Sequence, residues 1–222
     1  MTKVIVITGA TGALGNLTAK TFAAQGYSLA LLDNDQNKLD VFTRDLNLPN
    51  ERLFTSIVDL RNGQAVRDSA EAVSAKFGSV HALIHLVGGW VGGKTLAETS
   101  EDDLNSMLGQ HVWTTFHLFQ AFLPKLAANN WGRVITISPS TVSNPPAKRG
   151  IYLAAKAAQE NFVLTLAAEL KEHGVTANII QVRAIDVDNK GTGTTPAEIV
   201  AAMLYLFSDE AGKITGARIP LY

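Results

Sequence analysis

Cysteine is absent from this 222-residue chain. Disulfides and thiolate metal sites are therefore excluded, which agrees with a reducing compartment. Charge of one sign is also missing. The formal net charge is −1, so no broad pull toward nucleic acid or an anionic membrane surface is expected. No apolar run reaches the roughly 18 residues that a membrane helix needs. Internal repeats and low-complexity blocks are lacking as well. The first residues run straight into a strand pattern with no leader pattern ahead of them, so a cytoplasmic location is expected.

What is present is 46% hydrophobic and 18% charged residues. That balance, at this length, predicts one globular domain over residues 1–222. Val4 to Thr8 is a short β-branched apolar run, the mark of a strand buried on both faces. It leads into Thr8-Gly9-Ala10-Thr11-Gly12-Ala13-Leu14-Gly15, and a helical pattern follows from Leu14 to about Gln25. A glycine-rich turn between a strand and a helix makes a phosphate cradle. Glycine permits the tight turn and close backbone approach, and the helix N-terminus offers free N–H groups. Gly9, Thr11, Gly12, Ala13 and Leu14 are the candidate pyrophosphate-binding residues.

A second strand, Ser28 to Leu32, ends at Asp33, which lies 18 residues beyond Gly15. A dinucleotide site places a carboxylate there, on the adenosine ribose hydroxyls. It would repel a 2′-phosphate, so NAD(H) is favoured over NADP(H). The run Asp33-Asn34-Asp35 also reads as a loop opening a helix. Helical residues continue to about Leu46, before Pro49. Arg52 to Val58 is a third strand, ending at Asp59-Leu60, where the aspartate is placed to accept from the adenine amino group. A helix then runs to Phe77 and closes at Gly78.

Val80 to Val87 is a fourth strand, followed by Gly88-Gly89-Trp90-Val91-Gly92-Gly93. Its glycine pairs let backbone pass close to a flat ligand. Trp90 is either an aromatic wall or a core anchor. Glu101 to Asn129 predicts a long helix with breaks near Gly109 and Pro124. Gly132 to Ser138 is a fifth strand, running into a hydroxyl-rich loop. Val175 to Val182 is a sixth, Pro196 opens a last helix to Ser208, and Gly216 to Leu221 is a seventh. Alternating strands and helices predict a Rossmann-type, doubly wound parallel sheet of about seven strands, with helices on both faces. The singled-out stretches then meet at the C-terminal edge of the strands, where such sheets bind ligands.

Tyr152 and Lys156 stand four residues apart at the head of an alanine-rich segment. On a helix they share a face. A phenol beside an ammonium has a lowered pKa and can exchange protons near neutral pH.

The glycine turn, the acid after the second strand, Asp59-Leu60 and Tyr152-x-x-x-Lys156 together resemble the short-chain dehydrogenase/reductase family, over essentially the whole chain. The resemblance implies that Tyr152 is the proton donor or acceptor. It implies that Lys156 binds the nicotinamide ribose and lowers the tyrosine pKa. It also implies pairing of the helices from Glu101 and Ile151, with their apolar runs, into a homodimer or homotetramer. Several positions depart from the family pattern. The turn is TGxxGxxG rather than TGxxxGxG. That alone is a feature of extended, nucleotide-sugar-type members, but the C-terminal part is too short for them. His85-Leu86-Val87-Gly88 replaces Asn-Asn-Ala-Gly, and His111 stands for the helix asparagine, as a relay group or a core histidine. Pro139 occupies the usual serine position, leaving Ser140, or Ser138, as the candidate hydroxyl. Val182-Arg183 replaces Pro-Gly, and the lid after it is short.

Val87-Gly88-Gly89-Trp90-Val91-Gly92-Gly93, with His111-Val112-Trp113-Thr114-Thr115, resembles the dihydropteridine reductase branch. That branch keeps the Tyr-Lys pair, lacks the usual serine, favours NADH, and reduces a flat quinonoid dihydropterin. The expected activity is hydride transfer to or from a small carbonyl or imine-like molecule. Tyr152, Lys156 and Ser140 are the catalytic residues. Gly88 and Gly89, with Tyr152 and Lys156, complete the cofactor site, and no metal is expected. The alternative is a non-catalytic NAD(H)-binding sensor or partner subunit, suggested by the lost motifs.

Overall fold

The computed structural model describes residues 2–222. Seven parallel strands form one sheet: β1 Val4–Thr8, β2 Ser28–Asp33, β3 Leu53–Ile57, β4 Ala82–His85, β5 Gly132–Pro139, β6 Val175–Val182 and β7 Arg218–Leu221. Their order is β3-β2-β1-β4-β5-β6-β7. β1 pairs in register with β2 (Val4 beside Ser28) and with β4 (Ile5 beside Ala82). The chain reverses its direction of travel across the sheet between β1 and β4. A crevice therefore opens outside their C-terminal ends.

The helices are α1 Ala13–Ala24, α2 Gln36–Leu46, α3 Gly63–Phe77, α4 Glu101–Met107, α5 Thr114–Ala127, α6 Gly150–Glu169 and α7 Pro196–Phe207. Local chemistry sets their ends. Asp35 caps α2 through Lys38 N, Asn62 caps α3, and Thr195 with Glu198 forms a capping box on α7. Gly78 ends α3 in the left-handed region, at φ 76°.

Every residue of β1, β2 and β6 is buried, as strands covered on both faces require. Alternate side chains feed two cores. Val4, Val6 and Leu83 join Phe122, Val163 and Leu166 on one face; Ile5, Ile7 and Ile84 join Phe22, Met203 and Phe207 on the other. The edge strands β3 and β7 are only partly buried. No helix among the described residues is long and apolar enough to cross a membrane.

Two expectations change. β4 covers Ala82–His85 rather than the whole run to Val87, because Leu86 to Gly88 leave the ladder and line the crevice. The long helix does not end at Gly109 or at Pro124. Gly109 lies within a π turn, Leu108–Trp113, that joins α4 to α5. Pro124 sits inside α5. The carbonyl it leaves without an N–H partner belongs to Gln120, an exposed residue, so the proline is tolerated within the helix.

Candidate active site

Two cavities lie end to end along the C-terminal edge of the sheet and share Leu86, Val87 and Gly88. The first, about 460 Å³, is bounded by the glycine turn, the end of β2 and Val58 to Arg61. The second, about 370 Å³, is bounded by Trp90, His111, Ser138, Tyr152, Lys156 and Val182 to Ile185. Both are of ligand size.

The glycine turn is built to pack tightly. A Cβ on Gly15 would lie 2.1 Å from the Gly9 carbonyl oxygen, so only glycine lets α1 start against the turn. Gly9 has φ +67°. Gly12, the N-cap of α1, has no side chain capping the helix, and a Cβ there would meet nothing closer than 3.4 Å. Its lack of a side chain leaves room for a ligand rather than for protein. The N–H groups of Ala13 and Leu14 belong to the first turn, where no intrahelical acceptor exists. Leu14's side chain itself is buried in the core. Gly9, Thr11 and Gly12 line the first cavity. A cradle ending on a helix N-terminus fits a pyrophosphate.

Asp33 and Asp59 both line this cavity, and both are engaged. Asp33 Oδ2 accepts from Thr11 N at 3.0 Å and Thr11 Oγ1 at 2.9 Å, while Oδ1 accepts from Asn34 N at 2.8 Å and Asp35 N at 3.3 Å. Asp59 holds Arg61 through both carboxylate oxygens, at 2.8 to 3.2 Å, and that hydrogen bond keeps its carboxyl below the usual range. Lys38, the other cation of this wall, pairs with Asp35 at 3.1 Å. Leu60 is buried, and its carbonyl accepts from His117.

In the second cavity Tyr152 is half-buried and Lys156 fully so. Burial pushes the Tyr152 phenol above its ordinary value, and Arg149 opposes this. The expected lowering of the phenol by Lys156 is therefore not what the surroundings produce. Lys156 is itself brought down to about 8, by burial first, with Glu160 opposing. Its ammonium donates to Ile137 O at 2.9 Å and to Gln159 Oε1 at 2.8 Å.

His111 stands on the π turn, and such turns often carry function. Its Nε2 is 2.9 Å from Gly89 O, and its ring meets that of Tyr152 edge-on at 5.5 Å. Burial first, then Lys156, lowers it to about 4, so it is neutral. Gly88 and Gly89 let this turn close in. A Cβ on Gly89 would sit 1.9 Å from Gln110 Oε1. His85, at the end of β4, lies 2.7 Å from Thr8 Oγ1 and is lowered to about 3, by burial above all. Trp90 is 58% exposed at the rim, so it is a wall residue and not a core anchor.

The course of β5 decides which hydroxyl faces the cavity. The strand continues through Pro139, and Ser140 opens the turn closed by Val142 N to Pro139 O. Ser140 does not line the cavity; Ser138 does. The Ser138 hydroxyl is buried and has no partner among the described residues. Sequence reasoning also missed Gln159 and Thr115, which tie Lys156 to the π turn. A polar residue three positions after Lys156 on a buried helix face was the available signal.

A family model described as short chain dehydrogenase matches residues 3–196. The 3-oxoacyl-(acyl-carrier-protein) reductase FabG of Salmonella typhimurium is 26% identical, over 98% of this chain and 94% of that one. The meso-2,3-butanediol dehydrogenase of Serratia marcescens is 28% identical, over 99% and 92%. Among solved structures, an NADPH-bound short chain oxidoreductase from Pseudomonas aeruginosa, described as containing an atypical catalytic center, superposes with a TM-score of 0.90. It is 24% identical, over 99% of this chain and 95% of that one. An NAD+-bound xylitol dehydrogenase superposes at 0.86 with 21% identity, over 99% and 97%. These two likenesses are ones of fold.

Proposed function

This chain belongs to the short-chain dehydrogenase family and is an oxidoreductase of that family using a nicotinamide dinucleotide; on that premise we propose that it moves hydride to or from a small carbonyl or imine-like compound, with Tyr152 as general acid and base. The observation that carries this reading is the second cavity, which Tyr152, Lys156, Ser138 and His111 line together with Gly88 and Gly89.

Gly9, Thr11, Gly12 and the N–H groups of Ala13 and Leu14 would hold the pyrophosphate. Asp33, Asp59 and Leu60 would bound the adenosine; Gly88, Gly89, Tyr152 and Lys156 would bound the nicotinamide end. When bound, the cofactor supplies the hydride. Tyr152 would then pass its phenolic proton to the substrate oxygen or nitrogen. The Lys156 ammonium would stabilise the phenolate that remains, offsetting the burial that raises this phenol. Ser138, rather than Ser140, would hydrogen-bond the substrate atom, because its hydroxyl is buried and unpaired beside that space.

NAD(H) is the proposed preference. Three carboxylates (Asp33, Asp35 and Asp59) line the adenosine end, and its cations Lys38 and Arg61 are already paired. A 2′-phosphate would meet net negative charge.

A flat substrate such as a quinonoid dihydropterin is favoured by Trp90, which offers an exposed ring at the cavity rim, and by the absence of serine at position 139. We also propose a homodimer or homotetramer. Trp113 and Phe116 are 53% and 37% exposed and cluster with His117 and Phe162 on α5 and α6, a surface suited to a second copy. A monomeric elution profile at micromolar concentration would count against this.

The test is NADH oxidation with quinonoid dihydropterin and a panel of small ketones, in single turnover. Tyr152→Phe should lower the rate by about 10²- to 10⁴-fold. Tight NADH binding with no turnover of any compound would favour a sensor instead.

A further inference from the structure

A buried chain of side chains leads away from Lys156. Its ammonium donates to Gln159 Oε1 at 2.8 Å. Gln159 Nε2 donates to Thr115 Oγ1 at 2.8 Å, and Thr115 Oγ1 donates to the His111 carbonyl at 2.6 Å. Gln159 is 2% exposed and Thr115 is fully buried. The direction of each bond follows from chemistry. A carbonyl only accepts, so the Thr115 hydroxyl spends its proton on His111 O. It must then accept from Gln159, which turns the amide NH2 toward Thr115 and the amide oxygen toward Lys156. An ammonium has three donors. Two are taken by Ile137 O and Gln159 Oε1, and the third is left for the cavity that Lys156 lines.

We propose that Gln159, oriented by Thr115, is the positioning residue that helps keep Lys156 an ammonium and aims its remaining donor into the cavity. This rests on the cofactor role assigned to Lys156 above. The other titratable groups around Lys156 are Tyr152 and Glu160 on α6, His111 on the π turn, His85 at the end of β4 and Arg183 at the end of β6. The two histidines are neutral. Glu160 is engaged by Gln181 and Arg218. The Gln159 amide oxygen is the side-chain acceptor in direct contact with the ammonium, and an acceptor that serves the charged form favours it.

Two readouts test this. The Lys156 titration is followed by NMR of protein labelled with ¹⁵N-lysine, assigned with Lys156→Met. Gln159→Met, similar in volume, should move the midpoint down by about one unit. Gln159→Glu should move it up by at least about one unit, and Thr115→Val should move it in the direction of Gln159→Met. Identical midpoints in folded Gln159→Met and Gln159→Glu would overturn the proposal, because a role in packing alone does not predict opposite shifts. In parallel, NADH affinity is measured against pH. In the unaltered protein it should fall about tenfold as Lys156 loses its proton, and the fall should track each variant's NMR midpoint. A flat profile would remove the cofactor role of Lys156, while the NMR midpoints would still decide the role of Gln159.

Discussion

Thr11 binds Asp33 twice, giving its backbone N–H and its hydroxyl to the same carboxylate oxygen at 3.0 and 2.9 Å. The glycine turn is thereby fastened to the end of β2. With Asn34 and Asp35 donating to the other oxygen, the roughly four acceptor sites of a carboxylate are filled. A ribose hydroxyl must share or displace one of these donors.

Thr11→Val should lower stability by about 1 kcal/mol for the lost hydrogen bond to Asp33. Asp33→Asn should weaken NADH by about 10- to 100-fold and narrow the NADH/NADPH ratio. Fluorescence titration with both nucleotides checks this. An unchanged ratio in Asp33→Asn would mean that the carboxylate serves only the turn.

Ser138 and Ser140 should separate cleanly. Ser138→Ala removes the unpaired hydroxyl of the cavity wall and should lower kcat with little change in stability, since no protein hydrogen bond is lost. Ser140→Ala should leave kcat unchanged. The reverse ranking in single-turnover assays would restore Ser140 to the site.

Gly15→Ala should damage both fold and binding. The added methyl would lie 2.1 Å from Gly9 O and 2.9 Å from Ala10 Cα, both backbone atoms, so α1 must shift off the turn. A cost of about 1–3 kcal/mol and a loss of nucleotide affinity are expected in thermal melts and titrations. Gly12→Ala has a nearest protein neighbour at 3.4 Å. It should keep the stability and lose only affinity.

The two buried histidines predict acid sensitivity. Their folded values, about 3 for His85 and about 4 for His111, lie below the ordinary 6.5. The unfolded chain therefore binds more protons than the folded one in this range. Stability is full above pH 6.5 and falls as pH drops through 4, by on the order of 3 kcal/mol per histidine. His111→Asn should remove about one proton from that slope. Melting temperatures between pH 7 and 4 measure it, and an unchanged slope would show that His111 is not buried in its neutral form.

The site was legible where local chemistry decides it. The strand ends at Thr8, Asp33 and Val182 follow from β-branched and apolar runs meeting turn residues. The glycine turn follows from its place between strand and helix, and Tyr152 and Lys156 from helical spacing. Ser140 lies outside the cavity because the end of β5 depends on pairing with β6, which carries the strand through Pro139 opposite Val182. Spacing counted from Tyr152 has no access to that. The break at Gly109 became a π turn because tertiary packing of His111 against Gly88 and Gly89 holds the chain there.

By itself, then, the sequence determined the order of strands and helices, the glycine turn and the tyrosine–lysine pair, because each depends on residues within a few positions of one another. Tertiary structure alone decided how the charged groups are used. Asp33 is taken up by a threonine 22 residues away, and the amide that holds Lys156 is oriented by a threonine 44 residues from it. Burial and hydrogen-bond direction are properties of the space between elements, and no spacing along one element encodes them.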